Sequence, residues 1–235
     1  MDDERRAWLW RAVSDRVSAD HTDGWAHAVC LAAGLVLGVD ATALTLHSTT
    51  GVQELLAVND EWARTVVALR YSVGEGPGEE AYARGRPVLV PDVGVDQARW
   101  PGFAQAALVE GVGAVFAFPL VIGGIRLGML ELFRRRPGEL SGSALADATV
   151  LTSLAIDAVL GDAETARREG RRWPSPTLSS QDVHIAIGML AVQLQLSLED
   201  AFARLRAHAY AEQRPILDVA RDVLRRRIPL ENLRD

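Results

Sequence analysis

Side chains that suit nucleic-acid contact recur at every second position near the C-terminal end of the sequence. They are Arg204, Arg206, His208 and Tyr210. Guanidinium planes and aromatic rings can stack on unpaired bases, and guanidinium groups also contact phosphates. An ordinary solvated helix surface uses the same residue types, so both interpretations remain open. Arg206 is the strongest candidate because it lies off the apolar stripe of its predicted helix.

The remaining residues give little indication of a catalytic site. All 25 basic residues are Arg, so no Lys can form a Schiff base or complete a phosphate-binding loop. The single cysteine, Cys30, excludes an internal disulfide and a zinc-binding thiolate cluster. His27 lies one helical turn before Cys30, and a packed helix side explains that pair better than a metal does. We predict no enzyme activity, no metal and no cofactor.

Three short amphipathic helices are predicted to position the candidate residues between Ser179 and Arg227. Ser179 and Ser197 can cap the first two helices, each with an Asp three residues later. Pro215 suits the first turn of the third helix, where its missing N–H is not needed. Apolar residues recur at helical spacing in each helix. The predicted buried stripes are Val183, Ile187, Leu190 and Leu194; Leu198, Phe202, Leu205 and Ala209; and Ile216, Val219, Ala220 and Val223.

This segment resembles the ANTAR domain, a three-helix RNA-binding module of bacterial transcription antiterminators. The resemblance rests on the runs IAIGML (185–190), LEDAFARLRAHA (198–209) and LDVA (217–220). It implies RNA contact by Gly188, Arg204, Arg206, His208 and Tyr210. ANTAR domains usually carry a Lys before the glycine of the first helix, where this sequence has Ile187. The resemblance therefore predicts one phosphate contact fewer.

The first 170 residues alternate between predicted helices and strands. The hairpin signal Gly123-Gly124 joins two strands, and a long helix capped by Ser141 follows. This order is typical of an α+β domain with an antiparallel sheet. The predicted helices are at 3–17, 25–37, 60–69, 100–110 and 140–168, with a further short helix that is opened by the glycine-rich run 74–78 and ends at Arg84. The predicted strands are at 41–47, 52–58, 87–93, 114–122 and 125–134.

This region resembles a GAF domain, a family of small sensor domains. The resemblance rests on the runs GEGPG (74–78), GRPVLVPD (85–92), WPGF (100–103), FPL (118–120) and LGMLEL (127–132). It implies a small-ligand pocket beside the sheet or a dimerisation role. The bulky candidates for the pocket wall are Trp62, Trp100, Phe103 and Phe116. For any single one of these side chains, core packing is the favoured interpretation.

The predicted organisation is a GAF-like sensor at 1–170 with N-terminal and long C-terminal helices, followed by an ANTAR-like bundle at 171–235. Residues 171–235 hold 10 Arg against 8 acids, whereas the whole chain has a net charge of −6. We expect a cytoplasmic protein because no apolar run approaches the roughly 20 residues of a membrane span. We expect a homodimer through the apolar side of the predicted helix 140–168 together with the N-terminal helix. The resemblance, which extends to actinobacterial regulators, implies transcription antitermination through paired hexaloop RNA stem-loops. One alternative to this function is a scaffold whose three helices bind protein. A weaker alternative is a DNA-binding helix-turn-helix.

Overall fold

A five-stranded antiparallel sheet forms the centre of the first domain. The computed structural model describes residues 3–19, 24–47, 53–171, 173, 178–212 and 214–233. The sheet order is β2-β1-β5-β4-β3. Its strands are β1 Ala41–His47, β2 Gln53–Val58, β3 Val88–Val90, β4 Ala114–Ile122 and β5 Ile125–Arg134. The predicted α+β class and antiparallel sheet are therefore confirmed.

The turn between β4 and β5 is formed by Gly123 and Gly124, as predicted. Both glycines have positive φ angles, 52° and 89°. Two consecutive left-handed residues match the twist of a tight hairpin, and glycine adopts them without steric cost. The hairpin fixes the register of the two longest strands and leaves their alternate side chains on opposite faces.

Three helices cover one face of the sheet. They are α1 Asp3–Ala19, α2 Gly24–Leu37 and α6 Gly142–Arg168. Phe116, Phe118 and Leu120 of β4 point into this layer and pack with Leu151 and Leu154 of α6. By length and composition α6 could cross a bilayer, but its apolar side is buried against α2 and the sheet. It is a core helix of the domain.

Three shorter helices cover the opposite face. They are α3 Glu61–Val73, α4 Pro77–Arg84 and α5 Pro101–Val109. Asp60 caps α3 by accepting a hydrogen bond from the Trp62 amide at 2.8 Å, and the left-handed Gly74 ends it. Glu75 accepts bonds from the amides of Gly102 and Phe103 at the start of α5. These caps bring the 74–78 loop against the N-terminus of α5.

The C-terminal helices form a compact unit with its own apolar core. They are α7 Leu178–Leu194, α8 Leu198–Ala211 and α9 Ile216–Leu224, followed by a short 3₁₀ turn at Leu230–Leu233. Ser197 caps α8 as predicted, accepting a hydrogen bond from the Asp200 amide at 3.0 Å. The predicted stripes are buried at ten positions: Val183, Ile187, Leu190, Phe202, Leu205, Ala209, Ile216, Val219, Ala220 and Val223.

Several predicted details are wrong. Leu198 is 44% exposed because it starts α8, and Ala201 is buried in the core instead. Helix α7 begins at Leu178, so Ser179 lies inside the helix and does not precede it. Strand β3 stops at Val90 because Pro91 has no N–H and Asp92 folds back to accept a bond from the Gly94 amide. Residues 48–52, which join the first two predicted strands, and residues 174–177 lie outside the described residues.

Candidate functional site

Helix α8 presents its candidate residues on two different faces. Residues four apart on a helix share a face, whereas residues two apart are separated by about 200° of rotation. Arg206 and Tyr210 therefore form one pair, and Arg204 and His208 form another. The structure does not bring the five predicted RNA contacts onto one surface.

Arg206 faces the sensor domain. Its guanidinium lies against the Gly74 backbone, where an added Cβ would be only 2.7 Å from Nε. The same guanidinium is 5.4 Å from the centre of the Phe202 ring. The described residues offer it no ion pair, and its side chain is half-buried. Arg206 is therefore a contact between domains in this conformation.

Tyr210 lies one turn further along the same face of α8 and remains 61% exposed. A Cβ on Gly102 would lie 3.6 Å from its Cε2 atom. Tyr210 and Arg206 line an open groove of about 330 Å³ between α8 and the start of α5. Glu75 also lines the groove, and its acidic side chain disfavours phosphate there.

The other pair on α8 is tied to its own unit. Arg204 donates a hydrogen bond from Nη1 to the carbonyl oxygen of Leu233 at 3.2 Å. Nε2 of His208 lies 3.2 Å from Oε1 of Glu212, one turn along the helix. These contacts hold the 3₁₀ turn and the end of α8, which leaves both side chains half-buried.

The two positions on α7 differ sharply. Ile187 is 3% exposed and belongs to the three-helix core. The side chain points inward in this conformation, and the expectation that a phosphate contact is missing at this position stays a prediction. At Gly188 an added Cβ would meet no described atom within 4 Å. No close backbone approach within the described chain requires that glycine.

The four aromatic candidates for a pocket wall lie on both sides of the sheet. Trp62, Trp100 and Phe103 pack in the layer of α3 and α5, whereas Phe116 lies in the layer of α2 and α6. The indole N–H of Trp62 donates to the carbonyl oxygen of Glu110 at 2.9 Å. A single pocket cannot use all four, and their observed role is core packing.

A buried charged cluster between α3, α4 and the sheet was missed by the sequence analysis. Arg70 is 1% exposed and Glu131 is 0% exposed. Arg70 Nη1 pairs with Glu79 and donates to the Gln53 side-chain oxygen at 2.7 Å, and Nη2 lies 3.1 Å from Oε2 of Glu131. A Cβ on Gly78 would overlap the Glu131 carboxylate. This cluster fills the space beneath α4.

The cluster shifts three titrations. Burial raises the pKa of Glu131, and the Arg70 charge offsets only part of that effect. Burial also opposes charge on Glu79, but the Arg70 charge and the hydrogen bonds from Arg70 and Gln53 hold its pKa below the ordinary value. Burial lowers the pKa of His47 to about 4, and its ring stacks on Tyr82 with centroids 3.6 Å apart.

A sequence signal for this cluster existed. Arg70 follows Val66 and Val67 at helical spacing, which places a charge on the buried stripe of α3. Glu131 lies between Met129 and Phe133 in a strand with period two. Opposite charges at two buried positions indicate a buried pair.

Metal and thiol chemistry find no site in the described part of the chain, where no group of three metal-ligating side chains occurs. Cys30 is fully buried in α2. Burial raises its pKa to about 12, so the thiol stays protonated at neutral pH.

Residues of α3 form further contacts between the two units. The Tyr71 ring lies 5.3 Å from the Phe202 ring, centroid to centroid. The Ser72 hydroxyl accepts a hydrogen bond from the Ile216 amide at 3.3 Å. Between these contacts lies a cavity of about 110 Å³ with walls from β1, β2, α3, α7 and α9. The face of α8 that carries Arg206 is thereby held on the sensor.

Comparison with known proteins agrees with this architecture. The GAF domain model matches residues 23–159, and the ANTAR domain model matches residues 178–224. No curated protein matches the chain.

Solved structures resemble the sensor domain. The GAF domain of an Acinetobacter phosphoenolpyruvate-protein phosphotransferase is 13% identical, with 72% of this chain and 99% of that chain covered at a TM-score of 0.53. The corresponding domain from Coxiella burnetii is 18% identical over 72% and 99%, with a TM-score of 0.49. Free methionine-R-sulfoxide reductase from Neisseria meningitidis is 14% identical over 70% and 95%, with a TM-score of 0.48.

The fold and the matches together define a sensor-and-output regulatory protein. The chain belongs to the GAF domain family and carries a C-terminal ANTAR domain. GAF domains sense ligands, ANTAR domains are RNA-binding antiterminator modules, and both are typically regulatory and non-enzymatic.

Proposed function

We propose that this protein is a non-enzymatic, RNA-binding regulator of transcription antitermination, controlled by its GAF domain. The observation that carries the proposal is the ANTAR match at 178–224, which coincides with a compact three-helix unit. Paired hexaloop stem-loops are the proposed RNA target, as the family resemblance implies. We place this activity in the cytoplasm, and we set the boundary between the two units near Gly170.

RNA contact through the Arg206 face requires α8 to leave the sensor. In the docked conformation the Arg206 guanidinium lies on Gly74, and Glu75 shares the groove beside it. A phosphate entering that groove would meet the carboxylate of Glu75. We therefore infer that the RNA-binding conformation is undocked, with Arg206 and Tyr210 free to stack on loop bases.

The proposed homodimer must use surfaces other than the apolar side of α6. Leu151 and Ala155 of that side are 0% exposed within a single chain. Large apolar side chains remain exposed on the same layer of helices, and these provide the proposed dimer contact. They are Trp8, Trp10, Leu35 and Leu160.

An electrophoretic mobility shift of the full chain tests the function. We expect binding to an RNA with two hexaloop stem-loops, weaker binding when the loop sequences are replaced, and weaker binding still to duplex DNA. Equal or tighter binding to duplex DNA would exclude the RNA proposal. No binding to either nucleic acid would favour the scaffold alternative. In that alternative the three helices bind protein, as α8 already does where it contacts the sensor.

A further inference from the structure

The cavity between the two units has a polar floor and apolar walls. Thr45 of β1 is 0% exposed and lines the cavity, and its Oγ1 has no hydrogen-bond partner among the described residues. Tyr71 also lines the cavity, and its buried hydroxyl group lacks a partner among them too. Buried hydroxyl groups are normally hydrogen-bonded. Two such groups at one cavity indicate a site for a molecule that can bond to them.

The other polar side chains at the cavity, those of Gln53, Arg64 and Ser72, already have partners: Arg64 pairs with Glu61, and the Ser72 hydroxyl accepts a hydrogen bond from the Ile216 amide. The Gln53 amide accepts a hydrogen bond from Arg70 at 2.7 Å and donates to Glu79. These bonds hold the Gln53 side chain in place, so we do not count it as a free hydrogen-bonding group for a ligand.

The size and the walls of the cavity select the ligand class. Its volume of about 110 Å³ is slightly below the roughly 150 Å³ of an apolar cavity that holds benzene. The apolar walls come from both units: Leu55 and Val67 from the sensor, and Val183, Ile216 and Leu217 from the three-helix unit. A small monocyclic molecule with one hydroxyl group would fill this shape and satisfy the Thr45 hydroxyl.

We propose that this cavity is the sensory site, that it binds a small, mainly apolar molecule bearing one hydroxyl group, and that the bound molecule holds the two units together. The proposal rests on the RNA-binding function proposed above. Because α7 and α9 supply part of the walls, the complete site exists only when the units are docked. A ligand that binds only the docked conformation lowers the population of the undocked one. The ligand therefore lowers RNA affinity.

Phenol and toluene are the probes because they have nearly the same shape. Phenol carries a hydroxyl group where toluene carries a methyl group. Their affinities for the full chain are measured by ligand-observed NMR titration. In the wild type we expect phenol to gain from the Thr45 hydroxyl, whereas Thr45→Val should reduce the phenol-to-toluene affinity ratio about fivefold, the value of one hydrogen bond. An unchanged ratio in Thr45→Val would overturn the assignment of Thr45.

Ala68→Phe is the second variant. Ala68 lines the cavity from an exposed position on α3, so a larger side chain there fills the space without entering the core. We expect this variant to bind neither phenol nor toluene while keeping the wild-type circular dichroism spectrum. Undiminished phenol binding to Ala68→Phe would place the ligand elsewhere and overturn the proposal.

RNA affinity measured with and without saturating phenol tests the coupling. We expect phenol to weaken RNA binding by the wild type and to leave RNA binding by Ala68→Phe unchanged. Equal RNA affinity of the wild type with and without phenol would overturn the coupling. A chain that binds phenol with the expected Thr45 dependence but binds no RNA would contradict the proposed function and leave the site intact.

Discussion

Arg70 shows how one residue connects several parts of the sensor. Its guanidinium is shared by Glu79, Glu131 and Gln53, which belong to α4, β5 and β2. A buried charge is tolerated only when it is paired, and truncating one member leaves the others uncompensated. The nearby His47 is kept neutral by the same burial. The cluster therefore links the stability of the sensor to pH.

Stability should fall on acidification because of His47. The unfolded histidine takes up a proton below about pH 6.5, whereas the folded one resists protonation down to about pH 4. The contribution is present above pH 6.5 and is lost as the pH falls toward 4. By pH 5.0 the loss in unfolding free energy amounts to roughly 2 kcal/mol. Urea unfolding at pH 7.5 and pH 5.0 measures this loss.

His47→Phe is the control for this prediction, since it keeps a ring to stack on Tyr82 and removes the titration. The variant should lose roughly 2 kcal/mol less between the two pH values than the wild type does. The pKa of Glu79 lies below its ordinary value, so Glu79 affects both proteins mainly at lower pH. Equal losses of unfolding free energy in the two proteins between pH 7.5 and pH 5.0 would contradict the role of His47.

Ile187 tests the core of the three-helix unit. Ile187→Lys would place an ammonium group where the side chain is 3% exposed, and we expect a loss of about 3 kcal/mol or more in unfolding free energy. Val192→Lys, at a position 79% exposed on the same helix, should change it by less than about 0.5 kcal/mol. Chemical denaturation compares them. Equal stabilities would mean that position 187 faces solvent.

At the scale of elements, local signals predicted much of the fold. The caps at Ser141 and Ser197 and the turn at Gly123-Gly124 were predictable because each depends on a few adjacent residues. The end of β3 was missed because its strand pattern continues past Val90. The separation of Phe116 from the other three aromatic candidates was missed because adjacent residues of a strand point to opposite faces, and the sequence does not say which layer of helices each face meets.

Gly188 and Gly161 form a matched pair on α7 and α6. Both are helical, and a Cβ at either position would meet no described atom within 4 Å. Alanine at each should raise the unfolding free energy by about 0.5–1 kcal/mol, because glycine loses more backbone entropy in a helix. Denaturant titration of both variants checks this. Failure of either to stabilise the chain would indicate a contact beyond the described residues.

The same pair tests the proposed RNA surface. If RNA approaches the α7 backbone at Gly188, the added methyl group should weaken binding there, whereas Gly161→Ala should bind RNA as the wild type does. Filter binding at one salt concentration provides the comparison. Wild-type affinity in both variants would remove Gly188 from the proposed contacts.

At the scale of the whole molecule, the docking of α8 on α3 was not predictable from the sequence. Arg206 lies off the apolar stripe, and its type fits a protein contact as well as an RNA contact. Whether Arg206 contacts protein or RNA depends on how the sensor and the three-helix unit, which pack separately, lie against each other. That meeting is set by Tyr71, Ser72 and Gly74, whose sequence context shows only the end of a helix.

The central claim is that docking on the sensor withholds the RNA-binding face of α8. Tyr71→Ala removes the ring that packs on Phe202 and leaves every proposed RNA contact intact. Tyr82→Ala is the matched control, because it makes the same truncation in the sensor beside His47 and not beside Phe202. Circular dichroism checks that both variants remain folded.

The decisive measurement is the affinity of wild type, Tyr71→Ala and Tyr82→Ala for the paired hexaloop RNA, by fluorescence anisotropy. Loss of one aromatic contact should favour the undocked conformation, so we predict that Tyr71→Ala binds about fivefold tighter than the wild type. Tyr82→Ala should bind as the wild type does. RNA affinity of Tyr71→Ala equal to or below that of the wild type would contradict the claim that docking withholds α8 from RNA.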